Sequence, residues 1–230
     1  MPIGDFNGLV LATLAFLLIH IVPGSILRST IVGAIGERSY TIVFSLLSVA
    51  TLVWMVMAFN ASDSGGYVWY HAGKIQYVSV ALMFLAFVLG VGGLIGANPT
   101  AVGGRVAKNG DPATGFLRIT RHPFLVSVVI WSIAHLLVRG ELRAIVFFGG
   151  LGLLAAVGTV LIDRKSAKRL GEEWHQFSEA TSIIPFLAIL QGRNRLNVGE
   201  LKLWRLAIGI VVFVLVLHFH ADIMGVPPLP

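Results

Sequence analysis

Residues 119–137 read ITRHPFLVSVVIWSIAHLL. Arg121, His122 and Pro123 stand at the head of the stretch, and no formally charged residue follows as far as Leu137. A second imidazole, His135, lies well inside the apolar part. In hydrocarbon every backbone N–H and C=O must be satisfied within the protein, and a helix does this within one segment. The stretch therefore predicts a membrane helix that starts at Pro123, where a missing N–H costs nothing.

Five further runs outward from it behave in the same way: residues 6–24, 40–59, 75–97, 144–162 and 203–219. A spanning helix needs about 20 predominantly apolar residues, with a range of roughly 17–25. The expectation is an all-α polytopic bundle of six transmembrane helices forming one domain over residues 1–230, with 123–138 its shortest span. Composition agrees: 56% of the 230 residues are hydrophobic, 12% are charged, and the mean hydropathy is +0.85. Soluble domains carry about twice that charged fraction. MPIGDFNG at the start has no Lys or Arg, and no small-x-small site follows, so the first run is expected to be a span rather than a removed leader.

The net charge of +6 does not point to nucleic acid. Segments 25–39, 98–122 and 163–205 hold 14 of the 17 Lys and Arg. That alternation is the positive-inside pattern. It predicts that those loops face the cytoplasm and that both termini face outward, with the lipid bilayer as the principal partner and no nucleic acid. The absence of cysteine excludes disulfides, thiolate metal sites and cysteine nucleophiles. No Asp or Glu interrupts the apolar runs, which argues against a proton antiporter, and nothing resembles the filter or charged ring of a channel.

Leu170, Trp174 and Phe177 recur at helical spacing among charged residues. This predicts an amphipathic helix on the cytoplasmic membrane surface between spans five and six. The run 183–190, with Pro185, is too short to cross and is expected to be interfacial or re-entrant. Turns are expected at Asn98-Pro99 and Asn109-Gly110. GVGGLIG (90–96) and GGLGLLAAVG (149–158) lie within spans and predict close helix packing rather than a nucleotide loop.

Seven histidines remain to be placed. His71, His218 and His220 fall at outer ends and read as surface residues, and His175 belongs to the amphipathic helix. Arg118, Arg121 and His122 crowd the N-terminus of the fourth span, where free N–H groups favour an anion. Arg121 and His122 could hold a carboxylate or phosphate there, or simply anchor the helix to anionic lipid. His20 and His135 lie inside spans. An ionisable group at such depth either binds something or bonds to a neighbouring helix. Counting a rise of 1.5 Å per residue from the inner face, the two differ in depth by roughly 16 Å.

The segment GFLRITRHPFLVSVVIWSIAHLLVRGELRAIVFFGGLGLLAAVG, the DRK at 163–165, a histidine late in span one and TSIIPF (181–186) together resemble the NnrU family of bacterial membrane proteins. The resemblance implies a link to nitrite and nitric oxide reduction. It extends to the plant zeta-carotene isomerases, haem-containing membrane enzymes that convert a central cis double bond of a carotenoid. It thereby implies haem b held by His20 and His135 and a hydrophobic or redox-active small-molecule substrate. Ser132 stands where the isomerase motif has a cysteine. RHP followed by EEWHQFSEATSIIPF is also similar to the isoprenylcysteine-type membrane methyltransferases. That similarity implies S-adenosylmethionine held by Arg121, His122, Pro123, Glu173, Trp174 and Phe177. A non-catalytic accessory role beside a respiratory complex is the third expectation.

Overall fold

The computed structural model describes residues 6–23, 27–70, 74–96, 98–100, 111 and 113–229. His71 and the Asn109-Gly110 turn lie outside them. The described residues are helical apart from loops, turns and one isolated bridge between Tyr67 and Glu141. In chain order the helices are α1 (Phe6–Ile21), α2 (Arg28–Ile35), α3 (Glu37–Ala61), α4 (Ile75–Leu94), α5 (Pro123–Val138), α6 (Leu142–Leu170), α7 (Glu172–Ala180), α8 (Leu187–Leu190) and α9 (Leu203–Met224). Short 3₁₀ turns cover Gly115–Arg118 and Val198–Leu201.

Four of these, α3, α4, α6 and α9, are long and apolar enough to cross a membrane, while α1 and α5 are apolar helices of 16 residues each. The apolar side chains of α3 and α9 face largely outward: Leu46 is 66% exposed and Val49 61%. A surface of that kind is stable against lipid, not water. The chain is a multi-pass membrane protein.

Two compact units share the chain, one of residues 1–72 and 135–154, the other of 73–134 and 155–230. In the first unit α1 packs along α3, turning Leu9, Ala12, Thr13 and Phe16 inward. The segment 25–39, read from sequence as a loop, holds α2. Gly36 adopts φ +82° between α2 and α3, a conformation open to glycine. Glu37 follows in the first turn of α3, favoured by the helix dipole, and pairs with Arg28. At the other end of α3, residues 62–69 are strapped onto 136–143. Val68 N donates to Gly140 O (2.9 Å), Leu142 N to Gly66 O (3.0 Å) and Trp69 Nε1 to Leu136 O (3.0 Å).

In the second unit α4 packs against α9. The close packing expected of 90–96 is present. A Cβ on Gly90 would meet Ser127, one on Gly92 would meet Phe116 and one on Gly93 would meet Pro123, all within 2.5 Å. Beside this stripe lies a core of Leu89, Phe116, Val126 and Leu201. A helix, α7, covers the segment read as amphipathic and is separated from α6 by Gly171 at φ +54°. Its apolar residues turn into the protein: Trp174 and Phe177 are buried with Ala113 and Leu117, and Leu170 packs against them. Burial against protein substitutes here for burial in lipid. The run 183–190 folds into a turn with Phe186 at φ +64° and the single-turn α8.

Candidate functional site

His20 and His135, which the sequence places inside apolar runs, both fall in the first unit. His20 lies in the last turn of α1. Its Nδ1 donates to the Phe16 carbonyl at 2.7 Å, and its ring contacts those of Phe16 (4.3 Å between centroids) and Phe44 (5.3 Å). Donation from Nδ1 fixes the tautomer and leaves the Nε2 lone pair as the coordinating site, the arrangement usual for a metal-binding imidazole. His135 lies in the last turn of α5, and its ring is stacked on Phe148, 4.4 Å between centroids and 16° between planes.

Thr13, two turns before His20 on the same face of α1 and so about 10 Å along the axis, lies against Gly150, where a Cβ would come within 2.7 Å of Thr13 Cγ2. Gly150 is two residues beyond Phe148.

The donor set has a definite character. Among the described residues no three His, Asp or Glu side chains gather around a common point. A haem brings four nitrogens of its own and needs only axial donors. Imidazoles such as those of His20 and His135 are donors of the type a haem takes, and the chain has no cysteine thiolate.

Arg121 and His122 build a different structure, in the second unit. His122 is 2% exposed, and its Nε2 donates to Asp163 Oδ1 at 2.6 Å. Arg121 Nη1 reaches Asp163 Oδ2 at 3.4 Å. Arg121 Nη2 donates to the carbonyls of Ser178 (3.1 Å) and Thr181 (3.0 Å). Main-chain bonds run alongside, from Arg121 N to Ser182 O (2.9 Å) and from Phe186 N to Ile119 O (2.8 Å), and Thr120 Oγ1 donates to Ile183 O (2.7 Å). ITRH and SEATSIIPF thus clamp one another, with Asp163 of α6 underneath. Burial pulls the pKa of the Arg121 guanidinium down from its usual value and nearby Arg193 adds to this, while Asp163 opposes both. The two residues singled out from sequence as an anion site are brought together, and the polar groups they meet are this chain's own.

Sequence reasoning missed the partner of that pair and a second centre beside it. Buried Arg118 donates through Nε and Nη2 to the two carboxylate oxygens of Glu200 (2.7 and 2.9 Å), through Nη1 to Asn194 Oδ1 (2.7 Å) and through Nη2 to Asp111 (2.5 Å). Gly115 N also donates to Glu200 (2.9 Å). The Arg118 hydrogen bonds hold the Glu200 carboxyl at about 2, well below its usual range, against a smaller opposing effect of burial. Arg118 and Glu200 are 82 residues apart, and no local pattern announces such a pairing.

A family model described as "NnrU protein" matches residues 8–228. The chain is 31% identical over 195 residues to the 15-cis-zeta-carotene isomerase, chloroplastic, of Zea mays, covering 82% of this chain and 52% of that one. It is 32% identical over 169 residues to the Arabidopsis thaliana protein of the same name, covering 70% of this chain and 44% of that one. The chain thus spans about half the length of the curated relatives it matches. No solved structure matches. With four helices long and apolar enough to cross a membrane and a family match over residues 8–228, the chain belongs to the NnrU family.

Proposed function

We propose that this protein is a six-span membrane isomerase acting on a cis double bond of a carotenoid-like polyene, with haem b held by His20 and His135. The reading is supported by His20 and His135 belonging to one unit of a chain that is 31% identical to a 15-cis-zeta-carotene isomerase. An iron able to change oxidation state would exchange electron density with the conjugated chain and lower its barrier to rotation. The protein's own part is to orient and exclude. The Phe16 carbonyl holds the His20 proton on Nδ1, so that Nε2 faces outward as a donor. Phe16, Phe44 and Phe148 supply apolar walls beside the two imidazoles, which keep water away and suit a substrate arriving laterally from lipid. Positive-inside charge supports an inner-membrane location with both termini periplasmic.

Methyl transfer from S-adenosylmethionine has less support. It needs Arg121, His122, Trp174 and Phe177 at a cofactor surface. The first two are engaged by Asp163 and main-chain carbonyls, and the aromatic pair is buried in a core.

The test is the absorption spectrum of the full-length protein, purified in mild detergent from haem-supplied cells, oxidised and then reduced. A stoichiometric Soret band that shifts on reduction is expected in the wild type and lost in His20→Ala and His135→Ala. Incubation of the reduced protein with a 15-cis polyene should yield the trans isomer. A colourless, folded wild type would overturn the reading.

A further inference from the structure

The segment that leads from α8 into α9 is folded around buried Arg118. Asn194 Oδ1 and both carboxylate oxygens of Glu200 accept from the guanidinium, and Asn197 Nδ2 donates to Glu200 Oε1 at 2.9 Å. Leu201 is buried in the core with Phe116. These contacts turn Asn194, Glu200 and Leu201 inward. What remains outside is not a surface made for water. Leu190 is 81% exposed, Val198 65% and Leu203 82%, and Ile184, Leu196 and Trp204 are exposed as well. The exposed bases Arg193, Arg195 and Lys202 stand among them, with Arg205 following in the first turn of α9. Arg193 donates to the carbonyls of Glu179 and Thr181, which carry no net charge. Glu200 is the one acid between residues 184 and 205, and it is held by Arg118. Among the described residues no carboxylate pairs with any of the four bases.

Large apolar side chains left in water forfeit the free energy of burial, and neighbouring bases do nothing to recover it. Both kinds of residue are favourable together at the boundary between acyl chains and headgroups. There apolar side chains enter the acyl region while Lys and Arg reach phosphate. The patch also runs directly into α9, whose apolar side chains face outward against lipid. We infer that residues 184–205 form a docking surface for anionic phospholipid. Leu190, Val198 and Leu203 enter the acyl boundary, and Arg195 and Lys202 meet headgroup phosphates. Four bases without a carboxylate partner favour an anionic headgroup over a zwitterionic one, whose own cation would oppose them. The inference rests on the membrane character of the chain and is independent of haem and of isomerase activity.

The chain has no cysteine, so single introduced cysteines can carry a nitroxide. Leu190→Cys and Val198→Cys are spin-labelled in the full-length protein and reconstituted in vesicles of phosphatidylglycerol and phosphatidylcholine. Both labels should be relaxed by oxygen and shielded from a water-soluble nickel chelate, with Glu172→Cys on the exposed side of α7 as the water-facing reference. The second arm titrates detergent-solubilised protein with each lipid and follows the thermal midpoint. Phosphatidylglycerol should raise the midpoint of the wild type and phosphatidylcholine should not. The phosphatidylglycerol concentration at half effect should rise about fivefold for each base removed in Arg195→Gln and Lys202→Gln. Added salt should weaken the wild-type response in the same direction, with no variant needed. Labels at Leu190 and Val198 as open to the chelate as that at Glu172 would overturn the docking surface. Spin–spin broadening between labels of two molecules would give the patch to a second copy of this chain and overturn it as well. Equal responses to the two lipids, or an unchanged response in the double variant, would overturn the assignment to anionic phospholipid.

Discussion

Asp163 carries more of the fold than its position at the end of an apolar run suggests. It accepts from His122 and Arg121 together, and both lie in buried surroundings. Removing one side of a buried charged pair typically costs about 3–5 kcal/mol, because the group left behind has no water to replace its partner. Asp163→Asn should therefore lower the thermal midpoint in detergent far more than Glu172→Gln on the exposed face of α7. Differential scanning fluorimetry of the two variants checks this. Glu200 gives a prediction with a sign. Its carboxyl titrates at about 2 when folded and near 4.3 when unfolded, so its contribution to stability is complete above the unfolded value. That contribution is lost as pH falls towards the folded value. The wild type should lose thermal stability between about pH 4 and pH 2 more steeply than Glu200→Gln, whose side chain does not titrate. His122 and Arg121 were legible as a pair because Arg-His-Pro is a compact signal at a helix start. Asp163 and Glu200 were not, since their partners lie 41 and 82 residues away in sequence.

The helices show why apolar runs locate elements but not their ends. Residues 144–162 are apolar, yet α6 continues to Leu170 through Asp163, Arg164, Lys165 and Lys168. Hydrophobicity marks contact with lipid, whereas helical hydrogen bonding needs only residues that tolerate the conformation, and Lys and Arg are good helix formers. The same reasoning explains α2, whose mixed sequence lacks any apolar run. Glycine positions were more informative. Gly209 of α9 faces the backbone of α4, and an added Cβ would stand 3.0 Å from Val88 Cα and 3.4 Å from Phe87 O. Backbone cannot swing aside as a side chain can. Gly209→Val should force the two helices apart and cost about 1–3 kcal/mol by overpacking, read as a lowered unfolding midpoint in a denaturant titration in detergent. Gly33→Val in α2, where nothing lies within 4 Å of the added Cβ, should have no packing penalty.

At the scale of the whole molecule, the charge asymmetry predicts which loops face which compartment. Lacking cysteine, the protein gives a clean background for labelling. Lys74→Cys should react with a membrane-impermeant maleimide in intact cells, while Lys168→Cys should react only after lysis. Labelling of the opposite pair would invert the topology. The amino-acid sequence determined by itself that this is a helical membrane protein, where its apolar segments run, that the glycines of 90–96 pack closely and which family it belongs to. Each of these follows from local composition or spacing, and the bilayer turns such local patterns into structure because its interior rejects unsatisfied backbone. Tertiary structure alone decided that Arg121 and His122 meet Asp163, that Arg118 meets Glu200, that Trp174 and Phe177 bury against protein rather than lipid, and that Phe148 lies on His135. Those are contacts between residues of different elements, and hydrophobic periodicity carries no record of which polar or aromatic group will be opposite which.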